Sequence, residues 1–155
     1  MSERIETAAL RDFSVSLCRA AGLSADTAAL LTDSILFAEC RGVTSHGLLR
    51  LPQYIARLRS GATASNVPMP FTMESGGTAR LDAQNGLGQL AGRKASDKAE
   101  ELAAEYGVSF VAVANSNHFG TGAWYAIPAA RRGFFAFNIS SAASAMAPVA
   151  LLDPQ

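Results

Sequence analysis

The chain has 155 residues, 49% hydrophobic and 17% charged, which is enough for one domain with a real core and unlike a disordered composition. Thirteen basic residues balance thirteen acidic ones, so net charge supplies no footprint for nucleic acid or an anionic membrane, and a small molecule or another protein is the expected partner. No run approaches the ~18 apolar residues of a membrane span, and the N-terminal MSERIETAALRDF is charged and amphipathic instead of leader-like, so a cytoplasmic protein with no membrane partner is expected.

In chain order, Ile5, Ala9, Phe13, Leu17 and Ala20 recur at helical spacing over 3–21, and Gly22 follows as a stop. This predicts an amphipathic helix with that stripe buried. Ser24 suits the cap of a second helix lined by Ala28, Leu31, Ile35 and Ala38 and ended by Gly42, so that the two form an antiparallel hairpin. Cys18 and Cys40 fall in these helices without CxxC or metal-ligand spacing. Buried thiols are expected, and no metal site.

The segment ECRGVTSHGLLRLPQYIARLRSG, 39–61, holds one of the two histidines. If Ser45 caps a helix, then His46, Arg50, Gln53 and Arg57 share one face, and Leu48, Leu51, Ile55 and Leu58 share another. Arg50 can then take a carboxylate with its planar fork while His46 moves a proton, a pairing suited to a 2-oxo or 2-hydroxy acid. Pro52 opposes a continuous helix, because it would remove a ladder hydrogen bond and clash with the carbonyl of Leu48. In the alternative, Pro52 opens the helix and His46 lies on the preceding turn.

Residues 62–77 read as a linker punctuated by Pro68, Pro70 and Gly76-Gly77. Beyond it come a short strand over 78–82, a long helix over 86–106 with Leu87, Ala91, Ala95, Ala99, Leu102 and Tyr106 buried, and a strand over 108–113. A helix over 123–132, shortened or kinked by Pro128, and a strand over 134–140 complete the order. The expected fold class is therefore α/β, with N-terminal helices followed by a βαβαβ unit and a mostly parallel sheet. As domains, this gives a helical segment over 1–61, the linker over 62–77, and the first, incomplete part of an α/β cofactor-binding domain over 78–155.

Between the last two helices, the apolar run VSFVAV stops at the polar loop NSNHFGTG, which holds His118, the second histidine. In open α/β sheets ligands sit at the carboxyl ends of strands. A functional His118 and one that only hydrogen-bonds its own loop both fit this position. The dinucleotide fingerprint GxGxxG is absent after either strand, where the chain offers NGLG and GTG, and Gly86 and Gly88 suit tight turns and close packing. Ser140, Ser141 and Ser144, before AMAP, form either a hydroxyl-bearing loop for a ligand or a ragged end.

Together RGVTSHGLLRLPQYIARLRSG and NSNHFGTGAWYAIPAARRG resemble the malate/L-lactate dehydrogenase family, which is unrelated to the Rossmann-type lactate and malate dehydrogenases. The resemblance runs from the first helix to about Pro148. It implies a fold of its own without GxGxxG, a homodimer, and reversible hydride transfer between NAD or NADP and a 2-oxo acid or related imine. By resemblance, the catalytic residues are His46, His118 and Arg50, with Ser45 and Arg50 on the substrate and His118, Phe119, Gly120, Ser140 and Ser141 at the cofactor. Either histidine is open to the acid/base role. Family members continue past the position of Pro148 through a glycine-rich turn and a GTNP-like segment, where this chain reads VALLDPQ. An alternative to the oxidoreductase is therefore an inactive fragment that retains only dimerisation or ligand binding.

Overall fold

A computed structural model describes residues 5–141. The first helix, α1 (Thr7–Ala20), and the second, α2 (Ala25–Glu39), pack as the expected hairpin around Gly22, whose φ of 98° a side chain would oppose. Ser24 caps α2, its hydroxyl accepting the Thr27 N–H. The α2 stripe is as expected, with Ala28, Leu31, Ile35 and Ala38 all buried. The α1 stripe is not. Ile5 and Phe13 are 65% and 60% exposed, and the buried residues of this helix are Ser14 and Cys18. Small side chains let two helices approach closely, and the polar ones are satisfied locally: the Ser14 hydroxyl donates to Leu10 O at 2.8 Å, and the Cys18 thiol lies 3.9 Å from Thr32 Oγ1. Cys18 is buried as expected, but Cys40, in the turn after α2, is exposed.

Two 3₁₀ turns, Thr44–His46 and Leu48–Arg50, lead into α3 (Leu51–Arg59), with Pro52 in its first turn. The helix capped by Ser45 does not form, because proline is tolerated only where its missing N–H is not needed. Leu51, Tyr54 and Leu58 of α3 join Cys18, Leu23, Ala28, Leu31, Ile35 and Leu87 in the first core cluster.

Inside the span read as a linker, Phe71–Ser75 forms β1, which pairs antiparallel with β2 (Thr78–Asp82) through the two-residue turn Gly76-Gly77. Glycine pairs suit such turns because the backbone there adopts positive φ, 53° at Gly76. The chain then crosses over through α4 (Gly88–Tyr106) to β3 (Phe110–Ala114), which pairs parallel with β2 from Thr78↔Phe110 to Asp82↔Ala114. Among the described residues the sheet has the order β1-β2-β3. It covers a second core of Met69, Leu81, Ala83, Ala91 and Ala95. On α4, Leu87, Ala91, Ala95 and Leu102 are buried as predicted, whereas Tyr106 is 50% exposed at the helix end.

The helix α5 (Ala123–Arg131) carries Pro128 internally and ends where the Phe134 N–H donates to Ala129 O. The strand expected over 134–140 is not formed, so the βαβαβ order and the mostly parallel sheet are corrected to ββαβα, with one antiparallel and one parallel pair. Phe135, Phe137 and Ile139 are 95%, 78% and 76% exposed there. Their β-propensity reflects packing against neighbouring strands, and no described strand pairs with them. The α/β class stands. Ser144, the AMAP run and the last seven residues lie outside the described residues.

Candidate active site

Four segments converge at the carboxyl end of the parallel pair: the SHG turns, α3, the β2–α4 turn and the β3–α5 loop. The last two are locked together by backbone bonds. Asn85 N–H donates to Asn115 O at 2.8 Å and Ala83 N–H to Ala114 O at 2.9 Å, while Gln84, Asn85 and Asn115 adopt positive φ. Asparagine is among the residues that tolerate that region. Asn117 closes the clasp. Its amide donates to Asn85 O and Gly86 O, and its Oδ1 accepts from Arg57 Nη2 at 2.8 Å. Asp82 accepts from the Asn115 side chain and the Gln84 N–H, which hold its carboxyl below the usual range.

Gly88, the first residue of α4, sits directly under this loop. A Cβ there would lie 2.3 Å from Asn117 O and 2.4 Å from His118 O, so only glycine permits the approach. From the other side the Tyr125 hydroxyl donates to Phe119 O, its ring stacks on Phe119 with centroids 5.5 Å apart, and the same ring occupies the space a Gly92 side chain would need. Burial pushes the Tyr125 phenol up, so it stays a donor at neutral pH.

These supports present His118 to an open cavity of about 550 Å³ lined by Arg50, Gln53, Tyr54, Arg57, Thr63, Leu87, Asn117 and His118. This volume lies within the range of small-molecule sites. His118 Nδ1 is 2.7 Å from the Tyr54 hydroxyl and accepts the Gly120 N–H at 3.3 Å. The Tyr54 oxygen in turn accepts Gln89 Nε2–H at 2.7 Å. The His46 ring stacks against His118 at a centroid distance of 5.3 Å, and its Nδ1 lies 3.0 Å from Ser45 Oγ. Arg50 donates Nε–H to Ser45 O and Nη1–H to Gln53 Oε1. Desolvation, then the charges of Arg50 and His46, hold the His118 imidazole below its ordinary value. Burial raises the Tyr54 phenol, opposed by Gln89 and Arg50.

Arg50, Arg57 and His118 thus line one cavity, with His46 stacked on His118, in a chain that is similar in sequence to known enzymes. The family model for malate/L-lactate dehydrogenase matches residues 5–153. The chain belongs to this family. It is 33% identical over 94% of its length to a malate dehydrogenase of Pyrococcus abyssi, of which it covers 40%. It is 34% identical over 96% of its length to the (2R)-3-sulfolactate dehydrogenase (NADP(+)) of Chromohalobacter salexigens, of which it covers 44%. The structure of malate dehydrogenase from Pyrococcus horikoshii superposes with a TM-score of 0.82 at 31% identity, covering 84% of this chain and 38% of that one. The chain thus spans about two fifths of the length of these relatives.

For this member of the malate/L-lactate dehydrogenase family, the structure brings His46, Arg50, Ser45 and His118 together although 72 positions of sequence separate the two histidines. Arg50, Gln53 and Arg57 line one cavity, as the shared face required, even though His46 and Arg50 stand on separate 3₁₀ turns. Phe119 and Gly120 belong to the loop beneath the cavity and not to its lining. Ser140 and Ser141 lie exposed on a segment without regular structure. Tyr54, Gln89 and Asn117 escaped the sequence reading. Tyr54 sits on the face that periodicity assigns to the core and Gln89 on the face it leaves to solvent, and the polar partners of the pair lie 64 and 35 positions away. A tyrosine eight residues after a candidate histidine, on the same segment, was the one available signal.

Proposed function

We propose that this chain carries the acid-binding and proton-handling part of an oxidoreductase that interconverts 2-oxo and 2-hydroxy acids with NAD or NADP. The observation that carries the reading is the stacking of His46 at 5.3 Å on His118, which with Arg50 lines a cavity sized for a small acid. Arg50 takes the substrate carboxylate through the part of its guanidinium not used on Ser45 O and Gln53, with Ser45 beside it. Arg57 adds a second positive charge to the lining, which suits the dianionic acids named for the malate and sulfolactate enzymes.

In this mechanism His118 directs Nε2–H at the oxygen on C2, and His46 supplies or removes the proton as that oxygen changes between carbonyl and hydroxyl. The nicotinamide supplies the hydride when bound. The residues present fit its reacting end: the cavity has room for a ring beside a small acid, and the aromatic pair Phe119 and Tyr125 backs the His118 loop. Gly120, Ser140 and Ser141 are the groups of this chain assigned to the remainder of the cofactor. Residues 1–61 then form the acid-binding side and 78–141 the first part of the cofactor domain. A homodimer and a cytoplasmic location belong to the same proposal.

The test follows oxidation of NADH and NADPH by absorbance with oxaloacetate, pyruvate and 3-sulfopyruvate, for protein containing this segment and for its His46→Asn and Arg50→Lys variants. A kcat that falls sharply in His46→Asn and a KM for the acid that rises in Arg50→Lys support the assignment. Turnover indifferent to both variants refutes it.

A further inference from the structure

We propose that Gln89 is a positioning residue which, through Tyr54, holds His118 with its proton on Nε2, facing the cavity. The catalytic consequence rests on the function proposed above, while the proton arrangement itself does not.

The chain of donors is read from a group that cannot change its role. The Gly120 N–H is a backbone donor directed at His118 Nδ1 at 3.3 Å, so in this structure Nδ1 presents its lone pair. A neutral imidazole with an accepting Nδ1 carries its hydrogen on Nε2. The Tyr54 hydroxyl, 2.7 Å from the same Nδ1, must then donate as well. Its oxygen keeps lone pairs for an outside donor, and Gln89 Nε2 supplies one at 2.7 Å. Turning the Gln89 amide over would make Tyr54 donate to Oε1 and oblige Nδ1 to carry a hydrogen, which would point at the Gly120 N–H. The Gly120 N–H, the longer of the two contacts to Nδ1 at 3.3 Å, opposes that arrangement, and the Tyr54 hydroxyl at 2.7 Å supplies the stronger hold.

Gln89 maintains this at a cost. It is 1% exposed on α4, and its Oε1 is buried with no hydrogen-bond partner among the described residues. A leucine would fill such a place without an orphaned acceptor. Among the described residues the one hydrogen-bond partner of this side chain is the Tyr54 oxygen. Gly120 can occupy its place only with a φ of 81°, and a Cβ there would lie 3.2 Å from Ser34 Oγ and 3.7 Å from Gln89 Nε2, so donor and amide are packed as one unit. The charged and titratable groups facing the His118 ring are His46 and Arg50 from the 3₁₀ turns and Tyr54 from α3.

Donors to the Nδ1 lone pair stabilise the neutral ring, so removing them raises its affinity for a proton. Ring-nitrogen NMR of the whole ¹⁵N-histidine-labelled chain reads both tautomer and titration, and only His46 and His118 contribute signals. His46→Asn assigns them. In wild type the His118 Nε2 carries the hydrogen throughout the neutral range. Tyr54→Phe raises the titration midpoint of His118 by about one pH unit and populates the Nδ1–H tautomer. Gln89→Leu frees Tyr54 to accept and shifts the midpoint in the same direction by a smaller amount. The double variant matches Tyr54→Phe alone, because Gln89 acts through Tyr54.

Gln89→Met replaces the leucine variant if the latter does not fold, and Tyr54→Phe stands as an independent arm. An Nδ1–H tautomer in wild type, a Gln89 variant with an unmoved His118 titration, or additive shifts in the double variant would each overturn the proposal. None of these readings needs turnover, so failure of the oxidoreductase proposal is separately visible.

Discussion

Gly88→Ala tests how the His118 loop is held. The new Cβ would meet two carbonyl oxygens, Asn117 O at 2.3 Å and His118 O at 2.4 Å, where ordinary contact begins near 3.4 Å. Both obstacles are backbone and cannot rotate away, so the loop must retreat by roughly 1 Å. Alanine in place of glycine would by itself favour a helix by up to about 1 kcal/mol, less at the first helical position. Overpacking costs about 1–3 kcal/mol and wins. The net loss is expected near 1–2 kcal/mol, a fall in Tm of roughly 2–8 °C for a domain of this size. The same retreat carries His118 Nδ1 away from the Tyr54 hydroxyl, now at 2.7 Å, to beyond hydrogen-bond length. Denaturant unfolding at unchanged m-value measures the first effect, and the His118 ring resonances measure the second. Wild-type stability with an unmoved His118 signal would show that the loop does not depend on the bare α4 terminus.

In an active enzyme containing this segment, His46→Asn should lower kcat by about 10²- to 10⁴-fold, while Arg50→Lys should chiefly raise KM for the acid. Steady-state kinetics separates them, and a kcat effect confined to Arg50→Lys would reverse the two roles. Leu31→Ala, at a residue 0% exposed, should cost about 2–5 kcal/mol, whereas Phe13→Ala, 60% exposed, should stay within about 0.5 kcal/mol. Equal losses on chemical denaturation would restore Phe13 to the core. His118 is held below its ordinary value of 6.5, so below that pH the unfolded chain takes up a proton that the folded chain resists. Its contribution to stability is therefore complete above about pH 6.5 and declines as pH falls toward the folded value. A stability–pH profile for wild type against His118→Gln should diverge in that direction, and divergence on the alkaline side would contradict it.

Local rules were enough for much of this chain. The spacing of Ala28, Leu31, Ile35 and Ala38 names one buried face of α2, because residues three and four apart share a side of the helix. Gly22 and Pro52 mark element boundaries by their own backbone chemistry, and the SHG and NHFG motifs, through the resemblance they carry, point to the two histidines that stack on one another. Other features depend on what each element meets. Phe13 has the right spacing for a core but faces away, since the approach of α2 selects Ser14 and Cys18 instead. The apolar run over 134–140 has the propensity of a strand, yet a strand exists only where another supplies hydrogen bonds. Gln89 and Tyr54 read as ordinary members of helical faces, and only the packing of α3 against α4 and the His118 loop joins them into one chain of donors. A hydrogen bond is set by distance and direction in space, and partners 35 and 64 positions apart leave no period in the sequence.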